Sequence, residues 1–148
     1  MGEQIVHFEI NALESKRAQQ FYGKLFKWNI NADNPMNYGL VNTGSKDAVQ
    51  GGIGQVEPGK QPFVTFYIGV DNPQKYLDQA VKLGGRIIKP LTVIPDMVTY
   101  AQFADPEGNI VGLVKNQPMP QMKTASQVKT ARKPASRENG SRKARKRG

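Results

Sequence analysis

The chain has 148 residues, no cysteine, one histidine and a net charge of +9 at pH 7. That length suits one domain with a real core. The lack of cysteine excludes disulfides, thiolate ligands and a cysteine nucleophile, and it fits a reducing compartment. The charge is confined to one end: residues 1–120 hold 11 Lys/Arg and 11 Asp/Glu, and residues 121–148 hold 10 Lys/Arg and one acid, Glu138. No apolar run approaches the roughly 18 residues of a membrane span. No basic-then-apolar leader opens the sequence, and Val6 stands where N-myristoylation needs Ser or Thr. The expectation is a cytoplasmic protein without a membrane partner, or a nuclear one in a eukaryote.

Val6-His7-Phe8-Glu9-Ile10 alternates apolar and polar, which predicts a half-buried strand over 5–10. Ala18, Phe21, Tyr22, Leu25 and Phe26 recur at spacings of three and four, the stripe of a helix ending near Lys27. Residues 31–37 are turn-like and 38–43 form a strand. Residues 50–56 form a short strand weakened by Gly51, Gly52 and Gly54. After a linker over 57–62, a strand spans 63–70. Asn72 before Pro73 marks a helix start, with Asn as cap and Pro at the first helical position. Tyr76, Leu77, Ala80, Val81 and Leu83 make its stripe, and Gly84-Gly85 stops it. Strands follow over 86–89, 98–103 and 110–115. Residues 90–96 connect the first two, and Asp105-Pro106-Glu107-Gly108 makes a type I turn before the last.

The chain repeats itself. At an offset of 58, residues 6–30 align with 64–88 without a gap, with identities at Val6/Val64, Phe8/Phe66, Ile10/Ile68, Lys24/Lys82, Leu25/Leu83 and Ile30/Ile88. Three of these are successive same-face positions of one strand. Each copy runs strand, helix, strand, strand, strand, and such a repeat governs the fold.

This order, with Val6-His7-Phe8-Glu9-Ile10, Phe21-Tyr22, Leu83-Gly84-Gly85 and Phe103-Ala104-Asp105-Pro106-Glu107-Gly108-Asn109, resembles the vicinal oxygen chelate superfamily. That group includes glyoxalase I, bleomycin-resistance proteins and extradiol dioxygenases. The resemblance covers about residues 5–116. It implies an α+β fold within residues 1–120: two βαβββ modules, about 5–57 and 62–116, form a curled mixed sheet around a cleft, as a homodimer in many members. Metal-using members hold a divalent ion by His and Glu on the first and last strands of each module. By the resemblance, those positions fall on His7, Thr65, Gly112 and a place near Gly51 or Gly52. His7 is the one retained candidate ligand, and Zn2+ wants three or four. The expectation is therefore no cofactor, with a divalent metal disfavoured.

Alternation sorts the side chains by face. Val6, Phe8 and Ile10, with Val64, Phe66 and Ile68, should pack under the helices. His7 and Glu9, with Thr65 and Tyr67, then point the other way. On the strand over 98–103, either Tyr100 and Gln102 or Ala101 and Phe103 join them, and polarity favours the first pair. The predicted cavity lining is His7 and Glu9 as catalytic candidates, and Thr65, Tyr67, Tyr100 and Gln102 as ligand contacts. His7 is a candidate general base. Glu9 lies about 6–7 Å along the strand, too far for a direct bond and suited to sharing one ligand. The plainer alternatives are a hydrogen-bonded structural histidine, a solvated Glu9, tyrosines that only pack, and glycines marking a bulge or a close approach.

Beyond Pro118-Met119-Pro120, residues 121–148 have no aromatic residue and one valine, Val128, which predicts disorder. Lys129, Arg132 and Lys133, then Arg142, Lys143, Arg145, Lys146 and Arg147, form two basic clusters suited to salt-dependent, unspecific phosphate contacts over 123–148. The functional expectation is a small-molecule-binding protein or metal-independent enzyme of the glyoxalase and bleomycin-resistance type. The alternatives are a metal-dependent lyase, isomerase or dioxygenase, and a nucleic-acid-associated protein tethered by the tail.

Overall fold

The structure is a computed structural model that describes residues 2–116. The expected tail and its basic clusters lie outside the described residues. The elements are β1 (Gln4–Ala12), α1 (Ser15–Phe26), β2 (Asn29–Asn31), β3 (Gly39–Asn42), β4 (Gly51–Gln55), β5 (Phe63–Val70), α2 (Pro73–Lys82), β6 (Arg86–Ile94), β7 (Val98–Ala104) and β8 (Ile110–Lys115). The Asn72 side chain accepts the Lys75 N–H at 3.2 Å and caps α2, with Pro73 in its first turn. Helix α1 has no side-chain cap and ends where Lys27 turns left-handed, at φ 59°. The Asp105 carboxylate accepts the N–H groups of Glu107 and Asn109 at 2.8 and 2.9 Å, so the turn before β8 closes on its first residue.

The eight strands form one mixed, open sheet in the order β2-β3-β4-β1-β5-β8-β7-β6. The order mirrors itself about the boundary between β1 and β5. Within each module the first strand pairs parallel with the last, β1 with β4 and β5 with β8. Antiparallel pairing of β1 with β5 joins the modules, placing His7 opposite Tyr67, Phe8 opposite Phe66 and Glu9 opposite Thr65. The fold is α+β, as the repeat requires.

Two local expectations change. Strand β6 does not stop at Lys89 but runs through Pro90 to Ile94. It is the edge strand, where a residue without an N–H is tolerated. Residues 94–98 group apart from the rest of the described chain. Within them, Met97 N–H bonds the Ile94 carbonyl at 3.0 Å and Asp96 adopts φ 62°.

The second change concerns the helix-side face. Val70, Leu77, Ala101 and Leu113 form its core, with Ile68, Tyr76 and Phe103 packed against them. Under α1, the Phe8 ring meets Trp28 at 5.5 Å, and Trp28 stacks on Tyr22 at 6.0 Å. Val64 and Phe66, however, are 69% and 39% exposed, and Val6 is exposed as well. Helix α1 packs on β1, β2 and β4, and α2 on β8, so the middle of the sheet lies uncovered between them. A register shift between Ile5 and His7 also takes Val6 out of the alternation. On α1 itself, Phe21, Leu25 and Phe26 are more than half exposed.

Candidate functional site

The other face of the sheet carries a chain of hydrogen bonds that ends on Glu9 from both sides. From one side, His7 Nε2 lies 3.0 Å from the Tyr38 hydroxyl, which lies 2.8 Å from Glu9 Oε2. From the other, Gln102 Nε2 donates to the Tyr67 hydroxyl at 2.8 Å, and that hydroxyl donates to Glu9 Oε1 at 3.2 Å. Asn11 Nδ2 adds a third donor to the carboxylate, at 3.0 Å from Oε1. A carboxylate only accepts, so both phenols must spend their protons on it. The Tyr38 oxygen must then accept from His7 Nε2–H, which leaves Nδ1 as the ring's lone pair.

The protonation states agree with that order. Burial, then the charge of Glu9, pushes both phenols up, Tyr38 and Tyr67 alike, so each keeps its proton. Burial lowers His7 below its ordinary 6.5, with Glu9 pulling weakly the other way, so the imidazole is neutral at pH 7. Aromatic rings frame the group: His7 meets Tyr67 edge-on at 5.9 Å and Tyr38 face-on at 6.4 Å, and Tyr100 meets Tyr67 at 6.2 Å.

Two glycines make room for the phenols. Gly52 is the register partner of Glu9, and Gly112 is the partner of both Tyr67 and Gln102. A Cβ on Gly52 would fall inside the Tyr38 ring, and a Cβ on Gly112 inside the Tyr67 ring. Gly51, on the opposite face, seats the Phe8 ring in the same way. The close approach expected around these glycines is therefore of rings onto strands. Tyr38 itself is aimed by the turn before β3. The Asn34 side chain accepts the Tyr38 N–H at 3.0 Å and donates to the Tyr38 carbonyl at 2.7 Å.

All six predicted lining residues lie on this face, but they do different work. His7 and Glu9 are half-buried and joined through Tyr38 rather than through a ligand. Tyr67 and Gln102 are buried, 5% and 8% exposed, and support Glu9 from behind. Thr65 is buried and donates to the Ile110 carbonyl at 2.6 Å, tying β5 to β8. Tyr100 is half-buried at the rim, and Ala101 and Phe103 take the helix side. Tyr38 and Asn11 were missed. The available signal for Tyr38 was Gly52, a strand glycine whose missing side chain implied a ring from elsewhere.

The residues do not fit a divalent metal. At the positions implied by the resemblance stand His7, Thr65, Gly52 and Gly112, and phenol rings cover both glycines. Among the described residues, no three His, Cys, Asp or Glu side chains are grouped to hold an ion. His7 and Glu9 are only two potential ligands, and a phenol proton lies between them.

Comparison with known proteins bears on the fold and the family. Solved structures of the same fold include methylmalonyl-CoA epimerase from Mycobacterium tuberculosis, at 14% identity and TM-score 0.56, covering 77% of this chain and 88% of that one. A glyoxalase/bleomycin resistance protein/dioxygenase superfamily member from Vibrio splendidus 12B01 is 16% identical at TM-score 0.50, covering 78% and 100%. A methylmalonyl-CoA epimerase variant from Streptomyces coelicolor, in complex with 2-nitronate-propionyl-CoA, is 13% identical at TM-score 0.55, covering 78% and 99%. At these identities the likeness is one of fold. No curated protein sequence matches the chain. No described helix is long and apolar enough to cross a membrane. The model of the glyoxalase/bleomycin resistance protein/dioxygenase superfamily matches residues 4–113, and the chain belongs to that superfamily.

Proposed function

We propose that this chain binds a small molecule on the His7 face without a resident divalent metal. The observation that carries the reading is the replacement of a metal's surroundings by two phenols. Tyr38 and Tyr67 sit over Gly52 and Gly112 and direct their protons at Glu9. A ligand would meet His7, Glu9 and the Tyr38 and Tyr100 rims, all half-buried. In a metal-independent reaction, His7 serves as the general base: it is neutral at pH 7, and its Nδ1 lone pair is not spent on Tyr38. Glu9 fixes the ring through Tyr38 and supplies the site's negative charge. Elemental analysis of the purified full-length chain tests the reading. Metal well below one ion per chain is expected, and near-stoichiometric Zn, Ni, Mn or Fe overturns it.

The helix-side face supports a homodimer. Val64 and Phe66 lie bare in the middle of the sheet, and Phe21, Leu25 and Phe26 are bare on α1. Large apolar side chains left bare on one face suit a surface that a second copy covers. Sedimentation should give a dimer that Val64→Lys dissociates; a monomeric native chain at micromolar concentration would end that proposal.

A further inference from the structure

We propose that the ligand taken at Glu9 is an organic cation, an ammonium or amidinium group on an apolar or aromatic body. The inference rests on the small-molecule reading above and names the ligand's chemical class. It follows from counting which hydrogen-bonding groups are already committed. An anionic ligand needs donors, and the site has spent its strongest ones. The Tyr38 and Tyr67 hydroxyls both donate to Glu9, and His7 Nε2–H is directed at Tyr38. What remains is acceptor capacity: a lone pair on Glu9 Oε2, which takes one bond where Oε1 takes two, and the His7 Nδ1 lone pair.

Charge points the same way. Glu9 is half-buried and has no Lys or Arg partner among the described residues, whose one ion pair joins Lys89 to Glu57 at 2.9 Å. A partly desolvated carboxylate held by neutral donors keeps its negative field and attracts a cation. The third support is aromatic. His7, Tyr38, Tyr67 and Tyr100 stand ring to ring around the carboxylate, at centroid separations of 5.9–6.4 Å. Such walls favour a weakly hydrated organic cation over a small hydrated metal ion. The cation at the rim, Lys89 beside Tyr100, is already held by Glu57 at 2.9 Å, so a carboxylate or phosphate ligand would have to compete for it.

The test uses the full-length chain, with its single histidine as a reporter confined to the site. Benzamidine, benzyl alcohol and benzoate share a ring and differ in charge. Each is titrated while the His7 Cε1–H resonance is followed by NMR. Benzamidine should move the resonance saturably, and at least about tenfold more tightly than benzoate, the scale of one hydrogen bond to a charged group. Glu9→Gln should weaken benzamidine by a similar factor. Benzoate or benzyl alcohol binding as tightly as benzamidine overturns the charge assignment but leaves a small-molecule site at His7. Silence from benzamidine at millimolar concentration also overturns it. Stoichiometric metal in the purified chain removes the underlying reading instead. Should Glu9→Gln fail to fold, the ranking of the three probes on the unaltered chain decides.

Discussion

The two modules are built alike and equipped differently. Gly52 faces Glu9 on one side and Leu40 on the other; Gly112 faces Tyr67 and Gln102. Two residues before Leu40 stands Tyr38, and two before Gln102 stands Tyr100. So Glu9 corresponds to Tyr67, Tyr38 to Tyr100, and, by the offset of 58, His7 to Thr65. Each module lays a phenol over its glycine. The first draws the ring from β3's approach and keeps its β1 position for a carboxylate. The second fills the equivalent position with the ring itself. The histidine and the carboxylate are therefore both in the first module, and the second supplies two phenols and an amide, with Lys89 beside Tyr100 at the rim. One backbone plan thus places the histidine and carboxylate in one half and the residues that support them in the other.

The largest effects should come from the glycines. Gly112→Ala drives a methyl into the ring of Tyr67, which is buried and held at its hydroxyl by Gln102 and Glu9. Overpacking of this kind costs about 1–3 kcal/mol, and Tyr67 has little room to yield. Gly52→Ala meets Tyr38, which is only half-buried, so its cost should be smaller. Urea denaturation of both variants tests the ranking. A double-mutant cycle sharpens it: in a Tyr38→Ala background, Gly52→Ala should cost little. An undiminished cost there would show that the ring is not what Gly52 accommodates.

Next in size are the phenol hydroxyls. Tyr38→Phe and Tyr67→Phe each remove one proton aimed at Glu9, and each should cost about 1 kcal/mol. Their consequences for His7 should differ. Tyr38 is the direct partner of Nε2, whereas Tyr67 reaches it only as a ring edge at 5.9 Å. The His7 titration followed by NMR should therefore move clearly in Tyr38→Phe and hardly in Tyr67→Phe. Equal displacement in the two variants would undo the separation between the modules.

Much of this arrangement was legible in the sequence, because strand alternation and the repeat act over short distances. The spans of β5 and β8, the Asn72 cap and the face bearing His7, Glu9, Tyr67 and Gln102 follow from local pattern. Three things did not. The exposure of Val64 and Phe66 depends on where the helices settle across the sheet, which no single strand encodes. The extension of β6 through Pro90 depends on its being an edge, a property of strand order. Tyr38 reaches Glu9 across 29 residues, so neither periodicity nor the repeat pairs them. Gly52 marked the vacancy without naming the ring that fills it.

The smallest predicted effect is the most specific to the first module. His7 is held below its ordinary 6.5 in the folded chain, chiefly by burial. In the unfolded chain it recovers that value. Between 6.5 and the lowered folded value, the unfolded chain binds more protons, so stability falls as the pH falls through that window. Above about pH 7.5 both states are neutral and the dependence vanishes. Glu57 and Asp105 are also lowered, from 4.5 and 3.8, so their stabilisation is lost in the same direction but only as the pH falls through those lower values. His7 therefore has the interval from pH 7.5 to 5.5 largely to itself. Urea midpoints of the native chain should drop across that interval. In His7→Gln, which retains an N–H donor for Tyr38, they should stay level. Thr65→Val should lose stability uniformly, by about 1 kcal/mol for the bond to Ile110, and keep the native slope. A slope that survives in His7→Gln would place the titrating group elsewhere.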